Sequence, residues 1–182
     1  MVDVQESIEL NDAGSFRVRH ALVEDAQKIV TYLEDILRDP MSSIADLDEM
    51  LLDVHRQREH LRRVNVHPHA CALIAEHNNE VIGFLSLEPG KRRKIKHVVE
   101  IGMSVREDWR GRGVGKALLD YVIRWVSERE GIRKFTLNVF SENHAAIKLY
   151  KGAGFVVEGR LADQIHLNGH YQDLVLMALN LK

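Results

Sequence analysis

Residues 110–116, Arg-Gly-Arg-Gly-Val-Gly-Lys, constrain this chain more than any other stretch. Glycine gives up more backbone freedom on ordering than any other residue, so three alternating glycines mark a turn. The flanking residues say what the turn joins. His97 to Val105 reads as a strand of mixed character. After the turn, Val114, Ala117, Leu118, Tyr121, Val122, Trp125 and Val126 recur at helical spacing and form one apolar face. The first N–H groups of such a helix have no intrahelical acceptor, and the helix dipole adds about half a positive charge there. Glycines let an anion approach without a Cβ in the way, and Arg110, Arg112 and Lys116 add formal charge. A phosphate-bearing ligand suits this turn.

Two familiar phosphate motifs fail by position. A P-loop needs glycine five residues before its Gly-Lys pair and Ser or Thr after it; here Arg110 and Ala117 stand there. A dinucleotide fingerprint begun at Gly111 and Gly113 needs Gly or Ala at 116, which is Lys116.

The remaining elements follow from periodicity and turn chemistry. Phe16–Arg19 reads as a first strand. A helix with Ala21, Ile29, Leu33, Ile36 and Leu37 as its stripe ends at Asp39-Pro40. Ser43-Ile-Ala-Asp46 resembles a capping box opening a second helix to about Arg63, with Leu47, Met50, Leu51, Val54 and Leu61 on its buried face. Strands at Ala70–Glu76 and Val81–Leu87 flank His77-Asn78-Asn79-Glu80, a short turn. Phe135–Val139, Phe155–Val157, Ile165–Leu167 and Tyr171–Leu181 read as later strands. A short helix spans Asn143–Lys151, and Asn168-Gly169 is a strong hairpin signal. The expected architecture is one α/β domain over 16–182, after an N-terminal extension at 1–15. It has a mixed sheet of six or seven strands with helices on both faces.

The formal net charge is −2, which argues against a nucleic-acid-binding polycation. Cys71 is the single cysteine, so no intramolecular disulfide forms, and its apolar neighbours suit a buried core residue. The first ten residues do not look like a secretory signal. No apolar stretch approaches the roughly 20 residues that span a bilayer. A cytoplasmic protein that binds neither membrane nor nucleic acid is expected. The basic run Lys91–Lys96 lacks interleaved aromatics and reads as a solvated loop, with attraction of acidic groups as the functional alternative.

Arg110, Gly113 and Gly115 fit Arg/Gln-x-x-Gly-x-Gly/Ala, which resembles the pyrophosphate loop of GNAT acetyltransferases. Asn143-His-Ala-Ala-Ile-Lys-Leu-Tyr150-Lys-Gly-Ala-Gly-Phe155 is similar to that superfamily's second signature, at a typical distance from the first. The ending Asn168–Asp173 with Met177 resembles the closing hairpin of members that act on small amines and amino acids.

The resemblance implies a splayed central strand pair, His97–Val105 and Phe135–Val139, with the pantetheine of acetyl-CoA inserted between them. It implies cofactor contacts from Met103, Val105, Arg110, Gly111, Arg112, Gly113, Val114, Gly115, Lys116, Asn138 and Asn143, and no metal. The amine acceptor must attack as a free base. For a lysine-like amine, whose pKa is ~10.4, that form costs about 4–5 kcal/mol at pH 7, so a general base is useful. Glu100 is the first candidate, sharing a strand face with Gly102 and Ser104; His97, His166 and His170 are weaker ones. Tyr150 matches the residue that protonates the departing thiolate, a transfer uphill by about 2 kcal/mol for an ordinary phenol. Met41, His166, His170 and Tyr171 are candidate pocket residues, and Asp163 a candidate ammonium partner. The implied acceptor is a small primary amine: an amino acid, polyamine or aminated metabolite. The alternatives are a protein acetyltransferase and a non-catalytic acetyl-CoA sensor. Homodimers are common in the superfamily, although no residue here demands one.

Overall fold

The computed structural model describes the backbone of residues 6–8, and residues 15–43 and 52–181. In chain order the elements are β1 (Glu6–Ile8), β2 (Phe16–His20), α1 (Ala26–Ile36), α2 (Val54–Val66), β3 (Cys71–His77), β4 (Glu80–Pro89) and β5 (Val98–Val105). They continue with α3 (Val114–Ser127), β6 (Lys134–Phe140), α4 (His144–Gly152), β7 (Val156–Leu167) and β8 (His170–Asn180). All twelve belong to one mixed α/β arrangement, the fold class expected. The sheet order is β1-β2-β3-β4-β5-β6-β8-β7. Every neighbouring pair is antiparallel except β5 and β6.

The sheet is covered on both faces, and β3 shows why. Its residues alternate between two cores. Cys71, Leu73 and Ala75 join Leu118, Leu119 and Val122 of α3. Ala72 and Ile74 join Ile29, Tyr32 and Ile36 of α1 and Leu61 and Val64 of α2. Burial pushes the Cys71 thiol up to about 12, the behaviour of an inert core residue. Among the described residues no helix is long and apolar enough to cross a membrane.

Several boundaries differ from the sequence reading. The sheet has an eighth strand, because Glu6–Ile8 pairs with Phe16–Val18. Ala21 is buried but precedes α1, since a 3-10 turn at Val23–Asp25 intervenes. The described part of the second helix begins at Val54, where the Asp53 carboxylate accepts the Arg56 N–H at 2.9 Å. Residues 44–46 of the expected capping box, with Leu47, Met50 and Leu51, lie outside the described residues. The two pieces expected at 155–157 and 165–167 are one strand, β7, whose register with β8 shifts twice. Asp163 has a φ of 50° inside the second shift, the local kink a bulge requires. Both hairpin turns carry paired left-handed residues, Asn78-Asn79 and Asn168-Gly169, as tight two-residue turns demand.

At the β2–β3 edge, Arg19 is buried with its guanidinium on Asp25 at 2.6 and 2.8 Å. Glu76 accepts from Arg17 at 2.8 Å, Lys28 at 3.2 Å and Arg19 at 3.3 Å. Burial alone would raise the Glu76 pKa, but these three cations outweigh it and hold the carboxyl at about 2.

Candidate active site

The parallel β5–β6 ladder is short. Val98, Val99 and Glu100 pair with Lys134, Phe135 and Thr136, and the register goes no further. Beyond it β5 continues to Val105 on β4, while β6 continues to Phe140 on β8. The sheet therefore opens into a wedge. Arg106 N–H bonds to the Ile82 carbonyl on the β4 side at 3.0 Å. By alternation, the peptide groups of Ile101, Met103 and Val105 face the wedge. Backbone groups without a ladder partner need some other one.

The glycine turn stands at the wide end. Gly111 and Gly113 have φ of 73° and 85°, and a Cβ built on either would meet nothing within 4 Å. These positions use glycine for backbone conformation, with open space beside it. Gly113 caps α3 without a side-chain cap bond, and Ala117 N–H makes the helix's first bond, to the Gly113 carbonyl at 2.9 Å. The amides of Gly113 to Lys116 thus have no acceptor within the helix. Gly83 in β4 seats α3 close to the sheet: a Cβ there would fall 2.9 Å from Val114 Cγ1. Gly115 does the same for α4, since a Cβ would stand 3.2 Å from Leu149 Cδ2.

Two cavities meet across the wedge. One of about 550 Å³ is lined by Val105, Arg110, Gly111, Gly113, Gly115 and Lys116, among others. The other, of about 750 Å³, lies between α1, α2 and the sheet and includes Glu100, Gly102 and Asn138. Met103, Ser104, Asn143 and Tyr150 line both, so the two cavities adjoin, one toward the α3 N-terminus and the other toward the α1–α2 side.

Tyr150 is buried at the junction, with its ring tilted on Phe155 at 5.7 Å. Burial pushes its pKa up to about 12, so the phenol keeps its proton through the neutral range. Asn143 caps α4, its side-chain oxygen accepting the Ala146 N–H at 3.0 Å. Glu100 faces the larger cavity and accepts from the Asn138 amide at 3.3 Å. Asn138 therefore stands beside Glu100 on the α1–α2 side, away from the glycine turn. Arg110 bridges, donating to the Val105 carbonyl at 3.2 Å and to Asp39 at 3.1 Å. Val114 is buried in the core beneath the turn yet still touches the smaller cavity. Lys116 pairs with Asp120 at the cavity rim. Arg112 turns outward over the Trp109 ring at 5.3 Å and lines neither cavity.

Of the expected acceptor residues, Met41 lines both cavities and the others line neither. His166, His170 and Tyr171 are exposed on the β7–β8 hairpin, where His166 stacks on Tyr171 at 4.7 Å. Asp163 is exposed too, its N–H bonded to Asp173 at 2.8 Å. His97 is exposed at the narrow end of the wedge. The basic run 91–96 is an exposed loop.

Other residues, unmarked by any motif, build the larger cavity. Tyr32 of α1 does not line it but hydrogen-bonds a residue that does, Ser104 of β5, at 3.0 Å, and burial raises its pKa well above the usual phenol range. His60 and Gln57 of α2, and Glu88 of β4, line the wall. The Gln57 side-chain nitrogen is buried without a hydrogen-bond partner. The one sequence signal for the α2 pair was helical spacing: Gln57 stands three residues before His60 and four before Leu61, beside both on the helix surface.

The family model described as "Acetyltransferase (GNAT) family" matches residues 27–155. The L-amino acid N-acetyltransferase AaaT of Escherichia coli is 32% identical over 129 residues, covering 70% of this chain and 80% of that protein. A spermidine N(1)-acetyltransferase of Vibrio cholerae is 25% identical over 166 residues, covering 91% and 87%. A solved acetyltransferase structure from Salmonella typhimurium with its cofactor acetyl-CoA superposes with a TM-score of 0.81. It covers 92% of this chain and 94% of that one at 22% identity, a likeness of fold.

Proposed function

The chain belongs to the acetyltransferase (GNAT) family, and from that premise we propose that it moves an acetyl group from acetyl-CoA to the primary amine of a small molecule, by direct attack in a ternary complex. One observation carries the reading. The wedge joins a glycine-lined anion cradle to a second cavity, with a protonated tyrosine at the junction. The free amides of residues 113–116 and the Arg110 guanidinium suit a diphosphate. The peptide groups of Met103 and Val105 suit the pantetheine arm, and an N–H among them would stabilise charge developing on the thioester oxygen. Acetyl-CoA supplies the activated acetyl group; the chain's residues orient it and move protons.

Glu100 is placed to take the proton of an incoming ammonium, directly or through water. Tyr150 is placed to protonate the leaving sulfur. With a pKa of about 12, donation to a thiolate near ~8.5 is uphill by about 5 kcal/mol. That exceeds the 2 kcal/mol expected for an ordinary phenol.

The test is release of free thiol from acetyl-CoA by the purified protein over a panel of small amines and peptides, with acetyl-CoA binding followed by calorimetry. Turnover of small amines is expected. Binding without thiol release from any acceptor would leave a binding module and overturn the catalytic reading.

A further inference from the structure

The larger cavity has an uneven charge. Its wall is mostly apolar, from α1, β4 and β8 residues such as Leu33, Ile36, Phe84 and Leu174, and its carboxylates are Glu88 and Glu100. They are directly opposed in the β4–β5 register. Opposed residues share a sheet face with Cβ atoms about 5 Å apart, and like charges so placed repel. Among the described residues, no lysine or arginine lines the cavity. Residues 44–51, Ile-Ala-Asp-Leu-Asp-Glu-Met-Leu, contain no basic side chain either.

His60 does not neutralise the pair. Its Nε2 lies 3.8 Å from Glu88 Oε1, and its Nδ1 contacts an Arg63 guanidinium nitrogen at 3.0 Å. Arginine only donates, so Nδ1 accepts, and neutral His60 carries its proton on Nε2, facing Glu88. Burial lowers the His60 pKa despite the pull of Glu88, and Arg63 lowers it further. The imidazole is thus a neutral donor at pH 7, and Glu88 and Glu100 face the cavity without a formal countercharge lining it. The unpartnered Gln57 amide nitrogen suits a carbonyl or hydroxyl, but a neutral amide does not compensate a third carboxylate.

We propose that the acceptor is a carboxylate-free diamine or polyamine, with Glu88 holding its second ammonium while Glu100 serves the reacting nitrogen. This rests on the acetyltransferase reading above and narrows its acceptor class. A cation supplied by the substrate removes the Glu88–Glu100 repulsion. An α-amino acid would bring a carboxylate into a cavity that already holds two. Apolar walls suit an alkylene spacer between the two nitrogens. Glu88 is thereby a specificity-determining residue.

The test compares acceptors matched except for the α-carboxylate: 1,5-diaminopentane against lysine, and 1,4-diaminobutane against ornithine, with the full chain and acetyl-CoA. The diamines are expected to exceed their amino acids by about 100-fold in kcat/KM. Glu88→Gln should raise the diamine KM about 10-fold with a smaller change in kcat, and Glu88→Asp should recover part of the loss. Amino acids turned over as well as the diamines, or an unchanged diamine KM in a folded Glu88→Gln protein, would overturn this assignment and leave the acetyltransferase reading standing. No thiol release from any amine would overturn both.

Discussion

Gly113→Ala separates the two demands placed on the glycine turn. Gly113 has a φ of 85°, and a Cβ there meets no protein atom within 4 Å. The substitution therefore clashes with nothing in the chain, and its structural cost is the left-handed backbone alone. That cost is roughly 1–2 kcal/mol for an L-residue, which lowers the melting temperature by about 2–8 °C at this chain length. The cost to ligand binding is separate. The methyl enters the space in which a diphosphate would approach the Gly113–Lys116 amides. Losing one or two charge-assisted hydrogen bonds, each worth about 1.5–3 kcal/mol, weakens binding by about 10- to 25,000-fold. Gly169→Ala is the matched control. Gly169 has a φ of 78° and the same open surroundings, but it sits in the β7–β8 turn away from both cavities. Calorimetry with acetyl-CoA and thermal melts followed by circular dichroism give both quantities. The two variants should lose similar stability, and only Gly113→Ala should lose affinity. Equal acetyl-CoA affinity in the two would refute the placement of the diphosphate.

Other outcomes follow from the buried groups. Tyr150→Phe should lower kcat by about 100-fold or more, the usual scale of general-acid catalysis, with the acetyl-CoA KM nearly unchanged; equal kcat would remove the proposed acid. Because Tyr150 is held at about 12, the wild-type rate should show no loss from its ionisation up to about pH 10, which a pH–rate profile would detect. Glu76 has a folded pKa of about 2 against an ordinary 4.5, so its contribution is complete above pH 4.5 and is lost as pH falls toward 2. Glu76→Gln should reduce stability at pH 7 by about 3 kcal/mol and flatten the acid limb between pH 4.5 and 2; an unchanged limb in denaturant titrations would show that the Arg17–Arg19–Lys28 cluster does not drive acid sensitivity.

The order of the main strands and helices, the glycine turn and the Asn-bearing hairpins could be read from the chain alone. Each signal there is local. Helical periodicity, left-handed turn residues and the capping Asn143 act within a few residues of one another, so neighbours in sequence suffice to reveal them. The strand Glu6–Ile8 escaped because three residues show no periodicity. The merging of the 155–167 pieces into one strand escaped because bulges interrupt alternation. Of the expected site residues, Met103, Val105, Gly113 and Tyr150 line one or both cavities, whereas Arg112 faces Trp109 and the β7–β8 histidines line neither.

The wall of the larger cavity belongs to tertiary structure. Glu88 meets Glu100 only because β4 and β5 pair in that register, and a shift of one residue would turn one of them to the other face. His60 reaches Glu88 only because α2 packs over that face, and Tyr32 reaches Ser104 across 72 positions of chain. Local sequence determined which segments become strands, helices and the glycine turn. The charge and shape of the larger cavity were decided by packing, because they arise from side chains that nothing in their own neighbourhoods brings together.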